Sequence, residues 1–193
     1  MTRTPLRVAV LVGSVRRPRW GRTLAEWFVD LAGENPSLEL DLIDLADVNL
    51  PLQDLRPGGG SEEGPSAIAD RLNLADGFVV ITPEYNHSFP AALKNAIDWH
   101  YHEWMFKPVM VVSYGAGSGG IRATEQLRQV FAELHTVTTR RCVVIGAPWE
   151  KLTTDGGFLA DTGLVTATNG AIRELIWWAH ALRVARVRTP FEP

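Results

Sequence analysis

Four runs in the chain are apolar at consecutive positions rather than alternate ones: "RVAVLVG" near 7–13, "GFVVIT" near 77–82, "PVMVVSY" near 108–114 and "RCVVIGA" near 141–147. Short continuous valine-rich runs suit strands covered on both faces, the condition of a parallel sheet flanked by helices. A fifth run, "LELDLID" near 38–44, alternates and is therefore expected at a sheet edge. Between the runs, apolar residues recur at three and four positions: Leu24, Trp27, Phe28 and Leu31; Leu93, Ile97 and Tyr101; Leu127, Val130, Phe131 and Leu134; Ile172, Leu175, Ile176, Ala179 and Leu182. "PSAIADRLNLAD" supplies a weaker helix before the third strand. Complete alternation of strand and helix, with right-handed crossovers, predicts an α/β three-layer sandwich: a five-stranded parallel sheet in the order 2-1-3-4-5 with helices on both faces.

The 193 residues, 46% of them hydrophobic, suffice for one sizeable core, so a single unit over 1–193 is expected. A net charge of -3 from 19 basic and 22 acidic side chains gives no bias toward nucleic acid or anionic membranes, so any anion site must be local. The lone Cys142 cannot form an internal disulfide and reads as a small buried hydrophobe, which fits a reducing cytoplasm. The amino terminus does not resemble a secretory signal, and no stretch reaches the roughly 20 apolar residues of a membrane span. Two stretches break the rhythm: "LPLQDLRPGGGSEEGPS" at 50–66, expected as a mobile loop, and "PWEKLTTDGGFLADTGLVT" at 148–166, expected as an insertion before the last helix.

Ligands of open parallel sheets bind beyond the carboxyl ends of the strands, where neighbouring connections diverge. Three loops there carry unusual chemistry and are predicted to share one pocket: "GSVRRPRWGR" after strand one, "PEYNHSFP" after strand three and "SYGAGSGG" after strand four. The first combines a tight turn at Gly13, the Ser14 hydroxyl and backbone amides opening a helix, with Arg16, Arg17, Arg19 and Arg22 around it; a phosphate monoester suits it. The plainer alternative is that Ser14 only caps and the arginines only solvate. It is not a Walker loop, because the glycine, lysine and hydroxyl spacing is absent. In the third loop, Pro83 fixes φ ahead of Glu84, Tyr85 and Asn86, and Pro90 is admitted at the start of the next helix. A loop braced in this way is a stiff shelf for a planar heterocycle. In the fourth, Gly115, Gly117 and Gly120 spell G-x-G-x-x-G, which keeps a dinucleotide fold as a competitor; that fingerprint normally belongs to the first strand of a nucleotide-binding half, and no acid closes the following strand. The glycines otherwise let backbone approach a flat ring, or simply make a flexible connection.

"GSVR", "PEYNHSFPAALKNAIDW" and "SYGAGSGG", in that order across nearly the whole chain, resemble the NADPH-dependent FMN reductase family of flavodoxin-like proteins. The middle motif is long and specific; the other two are weaker alone. The resemblance implies bound FMN reduced by NADPH or NADH, which then reduces a small acceptor: a quinone, free flavin, dye or metal ion. It also implies a homo-oligomer, a dimer or tetramer. By position, Ser14 and Arg16 match the phosphate-binding serine and arginine, and the amides near Trp20, Gly21 and Arg22 close that cradle. Pro83, Glu84, Tyr85 and Asn86 match the segment along the isoalloxazine; Ser113, Tyr114, Gly115 and Gly117 match the opposite wall. Many family members carry asparagine where Gly21 stands, and Arg19 is the expected compensation.

FMN then carries the chemistry, no protein nucleophile is needed, and ping-pong kinetics are expected. An FMN-binding electron carrier or redox-responsive interaction protein with little turnover is the rival reading, and a carrier has less need of room for a nicotinamide. "DWHYHEW" offers Asp98, His100, His102 and Glu103, but on a helix the two histidines point about 200° apart; that face, with Trp99 and Trp104, is instead expected at an oligomer interface. Trp177 and Trp178 are read as core or interface.

Overall fold

The computed structural model describes residues 4–56, 60–61 and 65–191. Its sheet is parallel throughout. Strands β1 (Leu6–Val12), β2 (Leu38–Asp44), β3 (Gly77–Pro83) and β4 (Pro108–Gly115) run in the spatial order β2-β1-β3-β4, and β5 (Val137–Thr138) and β6 (Val143–Gly146) both pair with the far side of β4. Register places Val10 between Leu42 and Val79, and Ile81 between Val12 and Val112. The alternating run is the edge strand β2, and all seven residues of β3 are buried. Helices α1 (Trp20–Gly33), α2 (Ala69–Leu74), α3 (Ala91–Asp98), α4 (Ile121–Glu133) and α5 (Thr162–Arg188) cover the two faces.

Period-two alternation along the strands divides the core in two. Ala9, Leu11, Phe78, Val80, Val109 and Val111 face Leu93 and Ile97 of α3 and Leu127 and Phe131 of α4. Val8, Val10, Val12, Val79, Met110 and Val112 face Leu24 and Phe28 of α1 and Ala171, Ile172 and Leu175 of α5.

The structure departs from the sequence reading in several places. The fifth strand is split, because the amides of Arg140 and Arg141 donate to the Glu174 carboxylate of α5 at 2.8 and 3.1 Å instead of to a strand. Cys142 lies in the interruption and is half-buried. Helix α3 stops at Asp98 rather than continuing through Tyr101: His100 lies against the Ala96 carbonyl through Nδ1 (2.6 Å) and against the Ser66 hydroxyl through Nε2 (2.6 Å). Trp99 and Trp104, expected at an oligomer interface, are 5% and 0% exposed; Trp104 packs between Phe78 and Phe131. Trp177, by contrast, is exposed.

The stretch 148–166 is only partly an insertion, since α5 begins at Thr162 with Asp161 as its cap, accepting from the Leu164 amide at 2.8 Å. Within 50–66, Leu52–Asp54 forms a short 3-10 turn and the Gly60 amide donates to the Trp99 carbonyl at 2.9 Å; residues 57–59 and 62–64 of that expected mobile loop lie outside the described residues. Among the described residues no helix is long and apolar enough to cross a membrane.

Candidate functional site

At the carboxyl end of the sheet the loops after β1, β3 and β4 border one cleft of about 420 Å³. Arg16, Arg17, Arg19 and Trp20 come from the first loop, Pro83, Glu84 and Tyr85 from the third, and Tyr114, Gly115 and Ala116 from the fourth. Trp149, in the 3-10 turn Pro148–Lys151, closes one side.

The first loop turns where Gly13 donates its amide to the Ile81 carbonyl at 2.9 Å. A Cβ at Gly13 would meet the Leu93 side chain at 3.1 Å, so β1 and α3 approach closely only with glycine there. The Ser14 side chain that follows is fully buried, 2.7 Å from the Tyr85 hydroxyl, and the Arg16 amide reaches it at 3.4 Å. Helix α1 then begins with Arg19 at its N-cap, which supplies no side-chain acceptor, and there is no acid in the first turn. The first amides of α1, at Trp20, Gly21 and Arg22, therefore lack the usual side-chain cap and sit at the positive end of the helix dipole, an arrangement suited to an anion. The Arg16 guanidinium lies 5.5 Å above the Tyr85 ring, inside the cleft mouth.

The Arg19 guanidinium points elsewhere. It grips the Asp44 carboxylate at the end of β2 with two contacts of 2.5 Å and donates to the Ser14 carbonyl at 3.0 Å. Burial pushes the Asp44 carboxyl up, but the Arg19 hydrogen bonds, the Ala46 amide and the charges of Arg19 and Arg22 outweigh it and hold the group below its ordinary value. Arg22, 3.6 Å from Asp44, also bonds Glu26 at 2.7 Å.

The third loop owes its stiffness to a two-residue turn. Tyr85 and Ser88 exchange amide–carbonyl hydrogen bonds of 2.8 and 3.0 Å, with Asn86 and His87 between them at φ of 48° and 73°. Positive φ at both central residues is the requirement of a type I′ turn, and asparagine tolerates it best among residues with a side chain. Gln126 of α4 braces the turn, donating to the His87 carbonyl at 2.9 Å and accepting from the Ser88 hydroxyl at 2.5 Å. Glu84 turns away from the cleft centre and ties the third loop to the fourth. It accepts from the Ser118 hydroxyl at 3.0 Å, the Arg122 amide at 3.1 Å and the Arg122 guanidinium. Burial raises its carboxyl, and these donors overcome that and lower it.

In the fourth loop Gly119 and Gly120 take φ of 58° and 88°, and a Cβ on Gly120 would stand 2.8 Å from the Tyr114 amide. The last glycine of the G-x-G-x-x-G pattern is thus explained by the turn into α4. Ser113 is fully buried and donates to the Gly119 carbonyl at 3.0 Å, while Gly117 has open space about its Cα. Gly115 borders the cleft, and its carbonyl accepts from Ala147 at 2.7 Å, which brings Trp149 over the opening. Tyr114 is 4% exposed and reaches across to α1: its hydroxyl lies 2.8 Å from where a Cβ on Gly21 would stand.

Of the residues expected from the sequence, Arg16, Arg19, Trp20, Pro83, Glu84, Tyr85, Tyr114 and Gly115 border the cleft; Ser14 and Gly21 touch it through Tyr85 and Tyr114, and Arg22, Asn86, Ser113 and Gly117 are not among its lining. Three contributors had no readable signal. Trp149 sits in a stretch with no periodicity. Asp44 looked only like the last polar residue of an alternating strand. Arg122 acts at long range on Glu84.

The chain is similar to known proteins over most of its length. The sequence profile described as "NADPH-dependent FMN reductase" matches residues 6–150. An NAD(P)H-dependent FMN reductase of Schizosaccharomyces pombe is 38% identical over 131 residues, covering 64% of this chain and 64% of that protein, slightly under two thirds of its length. A quinone reductase of Escherichia coli is 30% identical over 174 residues, covering 86% of this chain and 92% of that protein. The solved structure of FerB, a flavoenzyme NAD(P)H:(acceptor) oxidoreductase from Paracoccus denitrificans, superposes with a TM-score of 0.74 at 27% identity, covering 91% and 98% of the two chains. The chain belongs to the NADPH-dependent FMN reductase family.

Proposed function

We propose that the protein is an FMN-dependent oxidoreductase that takes hydride from NADPH or NADH and passes electrons to a small acceptor in a ping-pong cycle. The observation that carries this reading is the pairing, within one cleft, of the uncapped amino end of α1 beside Ser14 and Arg16 with the stiff 84–87 turn facing Gly115. The first suits a phosphate and the second a flat ring. The residues present fit FMN on that ground: the N-cap Arg19 supplies no side-chain acceptor to the first amides of α1, and the cleft volume is in the range of cofactor sites.

When bound, FMN supplies the hydride and electron chemistry. The chain's own part is to hold and orient. The α1 amides, Ser14 and Arg16 would hold the phosphate; within 84–86 it is the Asn86 amide that would meet the ring edge, where donors stabilise added electron density, because the Glu84 amide donates to the Tyr114 carbonyl and the Tyr85 amide to that of Ser88. Neither Asn86 nor His87 spends its amide on the cross-turn pair. Half-exposed Trp149 flanks the opening through which nicotinamide and acceptor would enter in turn. Assembly as a homodimer or homotetramer belongs to the same proposal, and light scattering on the purified protein tests it.

The deciding experiment is the absorbance spectrum of the purified protein with added FMN, before and after anaerobic NADPH. Flavin absorbance that bleaches in a saturating, rapid reaction supports the reading. A bound flavin reduced slowly and without saturation would make it an electron carrier, and no bound flavin would end the proposal.

A further inference from the structure

Tyr114, next to last in β4, borders the cleft and also belongs to the α1–α5 half of the core with Val12, Leu24 and Ile172. Its hydroxyl is carried to the first turn of α1. There it stands 2.8 Å from the position a Cβ on Gly21 would take, within reach of the Ser14 hydroxyl and the Gly21 amide. The residue at 21 is the second of α1, where an amide has no partner inside the helix. Any side chain there would displace the phenol, so the glycine and the tyrosine specify one another.

Burial pushes the phenol's pKa up, reinforced by Tyr85 and only partly opposed by Ser14, Arg19 and Gly21. A nearby phosphate would raise it further, since it disfavours a second negative charge. The group therefore stays protonated and keeps one O–H to donate.

We propose that the Tyr114 hydroxyl is a ligand of the FMN phosphate, seated on the Gly21 amide and donating its proton to a phosphate oxygen. A hydroxyl that accepts from a helix amide while donating to an anion is a stronger donor than one standing alone. The first loop, whose residue 21 has no side chain, thus gains from β4 a third hydroxyl beside those of Ser14 and Tyr85. The inference rests on the FMN reading and adds to it the group that selects for the phosphate.

The test compares FMN with riboflavin, which has the same ring and no phosphate, by quenching of flavin fluorescence on the purified chain. Tyr114→Phe keeps the ring in the core, and its melting temperature and circular dichroism report whether the fold is kept. The expected result is about 30-fold weaker FMN binding, the scale of one hydrogen bond to a charged group, with riboflavin affinity changed by less than about twofold. Gly21→Ser combined with Tyr114→Phe places a hydroxyl in the vacated volume and should recover most of the FMN affinity. Equal losses for both flavins, or no loss for FMN, would overturn the inference, and so would a double variant as weak as the single one. An original chain that binds neither flavin would remove the FMN reading itself, a different and recognisable failure.

Discussion

The hydroxyls of Ser14 and Tyr85 stand 2.7 Å apart, joining the loop after β1 to the loop after β3 across two neighbouring strands. That contact couples the two loops, to which the proposed function gives the phosphate and the ring of FMN. Replacing Tyr85 by Phe leaves the ring under Arg16 but removes that link. We expect a loss of about 1 kcal/mol, the usual net value of one hydrogen bond, read as a melting temperature lower by about 2–4 °C. An unchanged melting curve with unchanged FMN affinity would show that the two loops are held apart by other means.

Arg19 tests whether a cleft arginine acts on ligand or on fold. Its guanidinium serves Asp44, whose side chain is 2% exposed. Arg19→Ala should destabilise by about 3 kcal/mol, the low end for a broken buried pair, because Arg22 remains 3.6 Å from the carboxylate. Since Asp44 has a lower pKa folded than unfolded, its contribution is full above about pH 4 and lost as pH falls through the folded value. The variant should therefore show a shallower acid limb in urea unfolding measured against pH. A variant as stable as the parent but unable to bind FMN would place Arg19 on the phosphate instead.

Glu84 acts as a remote cap for α4, taking the Arg122 amide, as well as a bridge between two walls of the cleft. Glu84→Ala should cost about 1–2 kcal/mol, the range for a lost cap, and weaken riboflavin and FMN alike, because it loosens the ring end and leaves the phosphate end alone. Guanidinium unfolding with parallel flavin titrations reads both effects.

His100 is 1% exposed, and burial lowers its pKa despite the Ala96 carbonyl and the Glu103 charge, which act in the opposite sense. The folded chain then binds this proton less readily than the unfolded one. Stability should be level above about pH 6.5 and fall as pH drops below it. His100→Gln should flatten that part of the profile; an identical slope in the variant would assign the effect to another group.

Trp149 is 44% exposed at the cleft mouth. Trp149→Ala should lower the melting temperature by about 4–8 °C, since more than half of the residue is covered and about 2 kcal/mol of burial is lost, while raising KM for NADPH or for the acceptor several-fold. Steady-state kinetics with each substrate varied in turn distinguish the two. Unchanged KM values for both would remove Trp149 from the substrate path.

The sheet and the meeting of its loops were legible because both rest on strong local signals: consecutive valines in β1, β3 and β4, and a strand order that brings their carboxyl ends together. What stayed hidden depends on side chains arriving from far along the chain. Nothing near 140 announces that Glu174 will take two strand amides, and nothing near 98 announces that His100 will lie on the Ala96 carbonyl where the helix ends. Helix α5 was seen only from 172 because Val165, Thr166 and Thr168 are poor helix formers, and Asp161 sets the true start. For the site, backbone motifs placed the residues, but the direction of Arg19 toward β2 and of Tyr114 toward α1 is a matter of tertiary packing that residue order does not encode.

The break between β5 and β6 has a consequence for self-association. A long unbroken outer strand offers a row of free amides and carbonyls on which a second chain can add its own strand, the first step toward fibrils. Here the outermost pieces are two and four residues long, with the amides between them held by an acid from a helix. That border is a poor template for growth, in contrast to the opposite edge, where β2 runs unbroken for seven residues.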